Sequence, residues 1–125
     1  MKAIWVNYPN FSKEEFDCSF TKENEMTDEF MKILQAIRTD YGKPMTITSG
    51  FRSTKHPIEA RKTHSKGEHT QGNCCDIACS SSKERFTLIQ LALKHGITRI
   101  GVAKTFLHFG IGGKGLPNHV IWDYK

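Results

Sequence analysis

Residues 49–76 read SGFRSTKHPIEARKTHSKGEHTQGNCCD, a polar stretch held between two short apolar runs. On its left, Met45-Thr-Ile-Thr-Ser49 alternates apolar and polar side chains and predicts a strand with one buried face. On its right, Cys74 to Cys79, with Ile77 at its middle, predicts a second strand. Gly50 ends the first strand and delivers Arg52, and His56, His64, His69, Glu59 and Glu68 then collect in a loop from Ser53 to Gly72, with a helical turn near Pro57 to Arg61. A polar, Gly- and Pro-marked loop of that length in a small domain more often carries function than mere connection.

Upstream, residues 1–11 show no clear period and read as an extended arm. Ser12-Lys-Glu-Glu15 is a capping-box pattern that opens a short turn through Phe16. Thr27 then caps a helix whose Phe30, Ile33, Leu34, Ile37 and Tyr41 fall on one face, and Gly42 and Pro44 end it. Downstream, Ser81 and Glu84 form a second capping box. They open a helix that places Phe86, Ile89, Ala92 and Leu93 toward the core and stops at Gly96. Ile97 to Ala103 and Phe106 to Ile111 read as strands joined by a tight Lys104-Thr105 turn. A glycine-rich loop leads to a last strand at Val120 to Tyr124. The expected fold is α+β: a small, mainly antiparallel sheet of about four strands flanked by helices, in one domain over residues 1–125.

Hydrophobic residues at 38% and charged residues at 25% place the chain with globular domains. No apolar run approaches the roughly 18 residues that would span a bilayer. The N-terminal MKAIWVNYPNFSKEEF lacks the apolar stretch of a secretory signal, so synthesis in the cytoplasm without a signal peptide is expected. The net charge of +5 suits an anionic partner, but the lysines and arginines are scattered, which argues against nucleic acid. Cys18, Cys74, Cys75 and Cys79 lack zinc-finger spacing and read as reduced, buried small hydrophobes, with Cys74 and Cys75 on opposite faces of a strand.

Taken singly, each of the six histidines reads as a surface or capping group; His95, beside Gly96, suits a helix C-terminus. His69 and Asp76 form a better pair, because zinc accepts imidazole nitrogen and carboxylate oxygen. A catalytic site needs a third protein ligand. His108 suits that place, since it lies in the apolar run Phe106-Leu107-His108-Phe109 and would otherwise need a polar partner.

SGFRS at 49–53, HPIEARK at 56–62, GEHTQGNCCDIA at 67–78, TFLHFG at 105–110 and the closing WDY at 122–124 together resemble the M15 peptidase family. That family includes zinc D-Ala-D-Ala carboxypeptidases, endolysins of the L-alanyl-D-glutamate type and, more distantly, the hedgehog signalling domain. Its signature is an SGYR-type strand end, then HxxGxAxD, then a histidine on a later strand; the likeness runs from about Phe11 to the C-terminus. The resemblance implies a hedgehog/DD-peptidase-like fold and one Zn2+ per chain on His69, Asp76 and His108. It implies Arg52 as the residue that binds a substrate carboxylate. The implied partner is a peptidoglycan stem peptide or another D-Ala-containing peptide, met by a monomer. Without a signal peptide, action at the bacterial wall would need release, as in phage lysis or from a virion.

Three departures accompany the likeness. Cys74 stands where the pattern has alanine. Thr105 stands where relatives place a catalytic acid, and Gly110 where many continue the last ligand as His-x-Asp. Glu68 and Asp123 are the candidates for a replacement base. A zinc-containing module that binds wall peptides without cutting them is the alternative.

Overall fold

A computed structural model describes residues 1–62 and 67–124; His64 lies outside the described residues. The elements follow the order α1 (Asp28–Tyr41), β1 (Ile47–Ser49), α2 (Pro57–Ala60), β2 (Cys74–Ala78), α3 (Ser82–Lys94), β3 (Arg99–Val102), β4 (Phe106–Gly110) and β5 (Val120–Asp123). The sheet has five strands rather than about four, in the order β1-β2-β4-β3-β5. Every pairing is antiparallel except β3 with β5, which run parallel.

Local chemistry explains the element ends. The Thr27 hydroxyl accepts the Phe30 N–H at 3.2 Å, and Gly42 closes α1 at φ 71°, where glycine meets no Cβ penalty. The Ser81 hydroxyl accepts the Glu84 N–H at 3.3 Å. Glu84 does not complete the box, because its carboxylate goes instead to Lys43 at 3.1 Å and to the Tyr41 hydroxyl. His56 caps α2 through Nδ1, which accepts the Ile58 N–H at 3.1 Å. His95 meets Asp40 at 2.7 Å.

The core lies on one face of the sheet, where Ile77, Leu107, Phe109 and Cys75 pack with Phe16, Phe30, Leu34 and Ile37. All four cysteines are free and buried. One expectation fails on α3. Phe86 and Leu93 are 72% and 62% exposed, whereas Leu88 and Ala92 are buried. The helix carries apolar residues on two sides: Leu88 and Ala92, four apart, form the inner stripe, and Phe86 and Leu93, seven apart, form an outer one.

The other face of the sheet is polar, and register decides what meets there. Asp76 pairs with His108, His108 with Gly101, and Gly101 with Trp122. Four strands therefore meet in one row above the sheet, β2, β4 and β5 with side chains and β3 with Gly101. Gly101 is needed in it, because a Cβ there would come within 2.8 Å of the Trp122 ring. Among the described residues no helix is long and apolar enough to cross a membrane.

Candidate metal centre

His69 reaches this row from a 3-10 turn, Glu68–Gln71, that ends at Gly72 with φ 71°. A Cβ at Gly72 would strike the Glu25 carbonyl, and the Gly72 carbonyl accepts the Thr27 N–H at 2.9 Å, so the turn is seated against the start of α1. The Arg52 N–H, just past β1, donates to the His69 carbonyl at 3.1 Å.

The structure brings His69, Asp76 and His108 together. His69 Nδ1 lies 2.7 Å from the Gly50 carbonyl, which can only accept, so Nδ1 carries the proton and Nε2 is left facing Asp76 Oδ2 at 3.5 Å. His108 is held at both nitrogens: Nε2 is 2.7 Å from Glu68 Oε1, and Nδ1 is 3.0 Å from Asp76 Oδ1. The two rings stand edge-on at 5.1 Å between centroids. Two imidazoles, each gripped from outside, thus turn their inner nitrogens toward one carboxylate. Burial opposes charge on Asp76, but the facing imidazoles of His108 and His69, which donate to it when they carry a second proton, override that and hold the carboxyl far below the usual range. Burial would likewise depress His108, yet Asp76 and Glu68 together raise it.

A further donor sits in the same space. Cys74 and Asp76 alternate along β2 and share the cleft side, and one donor atom each from His69, Cys74 and His108 all fall within 4.8 Å of one another. Burial pushes the Cys74 thiol well up. From the sequence Cys74 reads as a filler, and nothing in its spacing marks it as a neighbour of both histidines.

The cleft above the row has a volume of about 300 Å³ and is walled by Arg52, Arg99, Phe106, Trp122 and Tyr124. Arg52 is fixed by Glu59, buried beneath it, at 3.1 Å and by the Ser49 hydroxyl at 3.2 Å. Glu59 thus supports Arg52 from within that loop. Trp122 lies 5.3 Å from His108, centroid to centroid, and the Arg99 guanidinium stacks at 5.1 Å on the Trp122 ring.

The two candidate bases fare differently. Glu68 is in the site, but Oε1 receives His108 and the Arg99 Nε–H at 3.0 Å, and Oε2 receives the Gly112 N–H at 2.6 Å. Both oxygens are engaged with neighbours rather than offered to the open cleft. Asp123 is exposed at the end of β5, next to the cleft-lining Trp122, so alternation turns it to the opposite face. The structure does not bring it to the site. Thr105 also stands outside the cleft, in a separate hollow with Tyr41, Met45 and Glu84.

The family model described as Peptidase M15 matches residues 9–110. No curated protein matches the chain significantly.

Proposed function

The chain belongs to the M15 peptidase family, and from that premise we propose that it is a zinc-dependent peptidase of peptidoglycan stem peptides, cleaving next to a D-amino acid. The observation that carries the reading is the convergence of His69 Nε2, His108 Nδ1 and the Asp76 carboxylate, with the outer nitrogens already occupied by Gly50 and Glu68. That donor set fits zinc, which favours imidazole and carboxylate ligands braced by outer hydrogen bonds. When bound, such an ion supplies Lewis acidity, polarising a carbonyl and making a water more acidic.

The protein's own groups supply the rest. Arg52, held by Glu59 and Ser49, stands at the cleft wall with its charge set to receive a substrate carboxylate and fix the peptide over the row. Trp122, Tyr124 and Phe106 line the cleft with aromatic surface and limit water around the reacting bond. The place of action is the bacterial wall, reached by release during phage lysis or from a virion. Metal analysis of the purified chain and mass spectrometry of wall fragments incubated with it test the proposal. One zinc per chain, lost in His69→Ala, and release of D-Ala or a split stem peptide are expected. A metal-free protein, or zinc content unchanged in His69→Ala, would sink the site assignment.

A second reading is a zinc-containing module that binds wall peptides without cutting them. It is favoured by Cys74, which as a fourth ligand would complete a closed tetrahedral set of the structural kind. The absence of any cleft-lining carboxylate beyond Asp76 and Glu68, among the described residues, also favours it. Cobalt(II) substitution separates the readings: a near-ultraviolet thiolate charge-transfer band, lost in Cys74→Ala, together with intact wall fragments supports binding alone.

A further inference from the structure

Gly110 lies on β4, two residues past His108 and on the same side of the strand, opposite Cys74 on β2 and Arg99 on β3. Its backbone does not require glycine, since it is not among the glycines at positive φ. What excludes a side chain is its neighbour. A Cβ built on Gly110 would come far inside contact distance of the Glu68 carboxylate, with Oε1 at 2.5 Å and Cδ and Oε2 nearer still. The carboxylate of Glu68 therefore fills the volume that a residue-110 side chain would occupy.

From that notch it makes hydrogen bonds to His108 Nε2, the Arg99 guanidinium and the Gly112 N–H, at 2.7, 3.0 and 2.6 Å. Glu68 is almost wholly buried, and so is His108. The partner of one imidazole nitrogen decides which nitrogen is left for a ligand on the other side. Arg99 and Gly112 add two more donors, so the carboxylate is fixed in position before His108 meets it.

We propose that Glu68 is a positioning residue for the metal centre: lodged in the space vacated at Gly110, it holds His108 by Nε2 so that Nδ1 faces Asp76 and His69. Residues 68 and 110 form a reciprocal pair, with room for one carboxylate that either can supply. The inference rests on the reading that His69, Asp76 and His108 hold the ion.

The test is a double-mutant cycle on the full chain. Zinc affinity is measured by competition with a chromophoric chelator for wild type, Glu68→Ala, Glu68→Gln, Gly110→Asp and the double variant Glu68→Ala/Gly110→Asp. Loss of an outer-shell partner is expected to weaken zinc by about 10–100-fold in Glu68→Ala and Glu68→Gln. Gly110→Asp alone, with two carboxylates forced into one space, also weakens binding, while the double variant recovers to within a few-fold of wild type. Folded Glu68→Ala and Glu68→Gln proteins that bind zinc within twofold of wild type would reduce Glu68 to a structural ion pair and overturn the proposal. A double variant no better than its worse parent would overturn the shared space.

Failure of wild type to bind zinc would count against the metal reading instead. The positioning claim then stands or falls on long-range proton–nitrogen spectra of the metal-free protein. Neutral His108 should carry its proton on Nε2 in wild type and shift toward Nδ1 in Glu68→Gln; an unchanged tautomer would refute it.

Discussion

Gly72 shows how much can hang on one residue. It adopts φ 71° and lies so close to Glu25 that any Cβ collides with a carbonyl, and three residues earlier in the same turn stands His69. Gly72→Ala therefore combines backbone strain with a steric clash that cannot relax by side-chain rotation. A loss of about 2 kcal/mol or more is expected, read as a lower urea midpoint at unchanged slope. An unaltered midpoint would mean that the turn is not seated as described. Arg52 makes a different demand, because two of its guanidinium nitrogens are spent on Glu59 and Ser49. Lysine can copy the charge but not the planar fork. Arg52→Lys is expected to raise KM for a stem peptide ending in a free carboxylate by about tenfold, with kcat little changed, as for loss of uniform binding. An amidated peptide should show no such difference, and equal effects on both would remove Arg52 from carboxylate recognition.

At the scale of elements, α3 and the N-terminal arm separate what periodicity reveals from what packing decides. The spacing predicts α3, but its apolar residues split between two stripes, and only packing against α1 and the core selects Leu88 and Ala92 over Phe86 and Leu93. Leu88→Ala should therefore cost about 2–5 kcal/mol, whereas Phe86→Ser and Leu93→Ser should stay within about 0.5 kcal/mol of wild type in chemical unfolding. The arm shows no period because a single 3-10 turn, Trp5–Asn7, two buried aromatics, Tyr8 and Phe11, and scattered polar contacts hold it rather than a repeating face. Asp28, in the first turn of α1, accepts the Ile4 N–H at 3.1 Å and the Tyr8 hydroxyl, and pairs with Lys32 at 3.4 Å. Tyr8 first, then Ile4, holds this carboxyl below its usual value. A carboxyl lowered by folding stabilises the folded chain above its ordinary value near pH 4, and that contribution disappears as pH falls through the lowered one. As pH falls below about 4, wild type should lose more stability than Asp28→Asn, with amide exchange at residues 3–8 rising first. Parallel acid profiles for the two proteins would show that the arm does not depend on this carboxylate.

Across the whole molecule, His108 is legible because it interrupts a patterned apolar strand, whereas His69 in a short turn and Arg52 past β1 are legible only through the pairing with Asp76 and the family motif. Their meeting was not readable, since it depends on the register that sets Asp76 opposite His108 across strands distant in sequence. The Glu68–Gly110 exchange was less visible still, because a glycine gives no sign of what occupies the space beside it. The same sheet separates two roles. The apolar cluster around Phe16, Phe30, Leu34 and Phe109 lies on one face, and the row of Asp76, His108 and Trp122 on the other. Folding should then survive removal of the ion, while its binding free energy still adds to stability. At zinc a hundredfold above Kd the gain is about 2.7 kcal/mol, which for a domain of this size raises Tm by roughly 10 °C. A chelator should lower Tm by that amount and leave a single cooperative transition. Loss of the transition altogether would show that the polar face holds the fold together, as in structural zinc domains. No change in Tm would show that the row binds no ion tightly enough to matter.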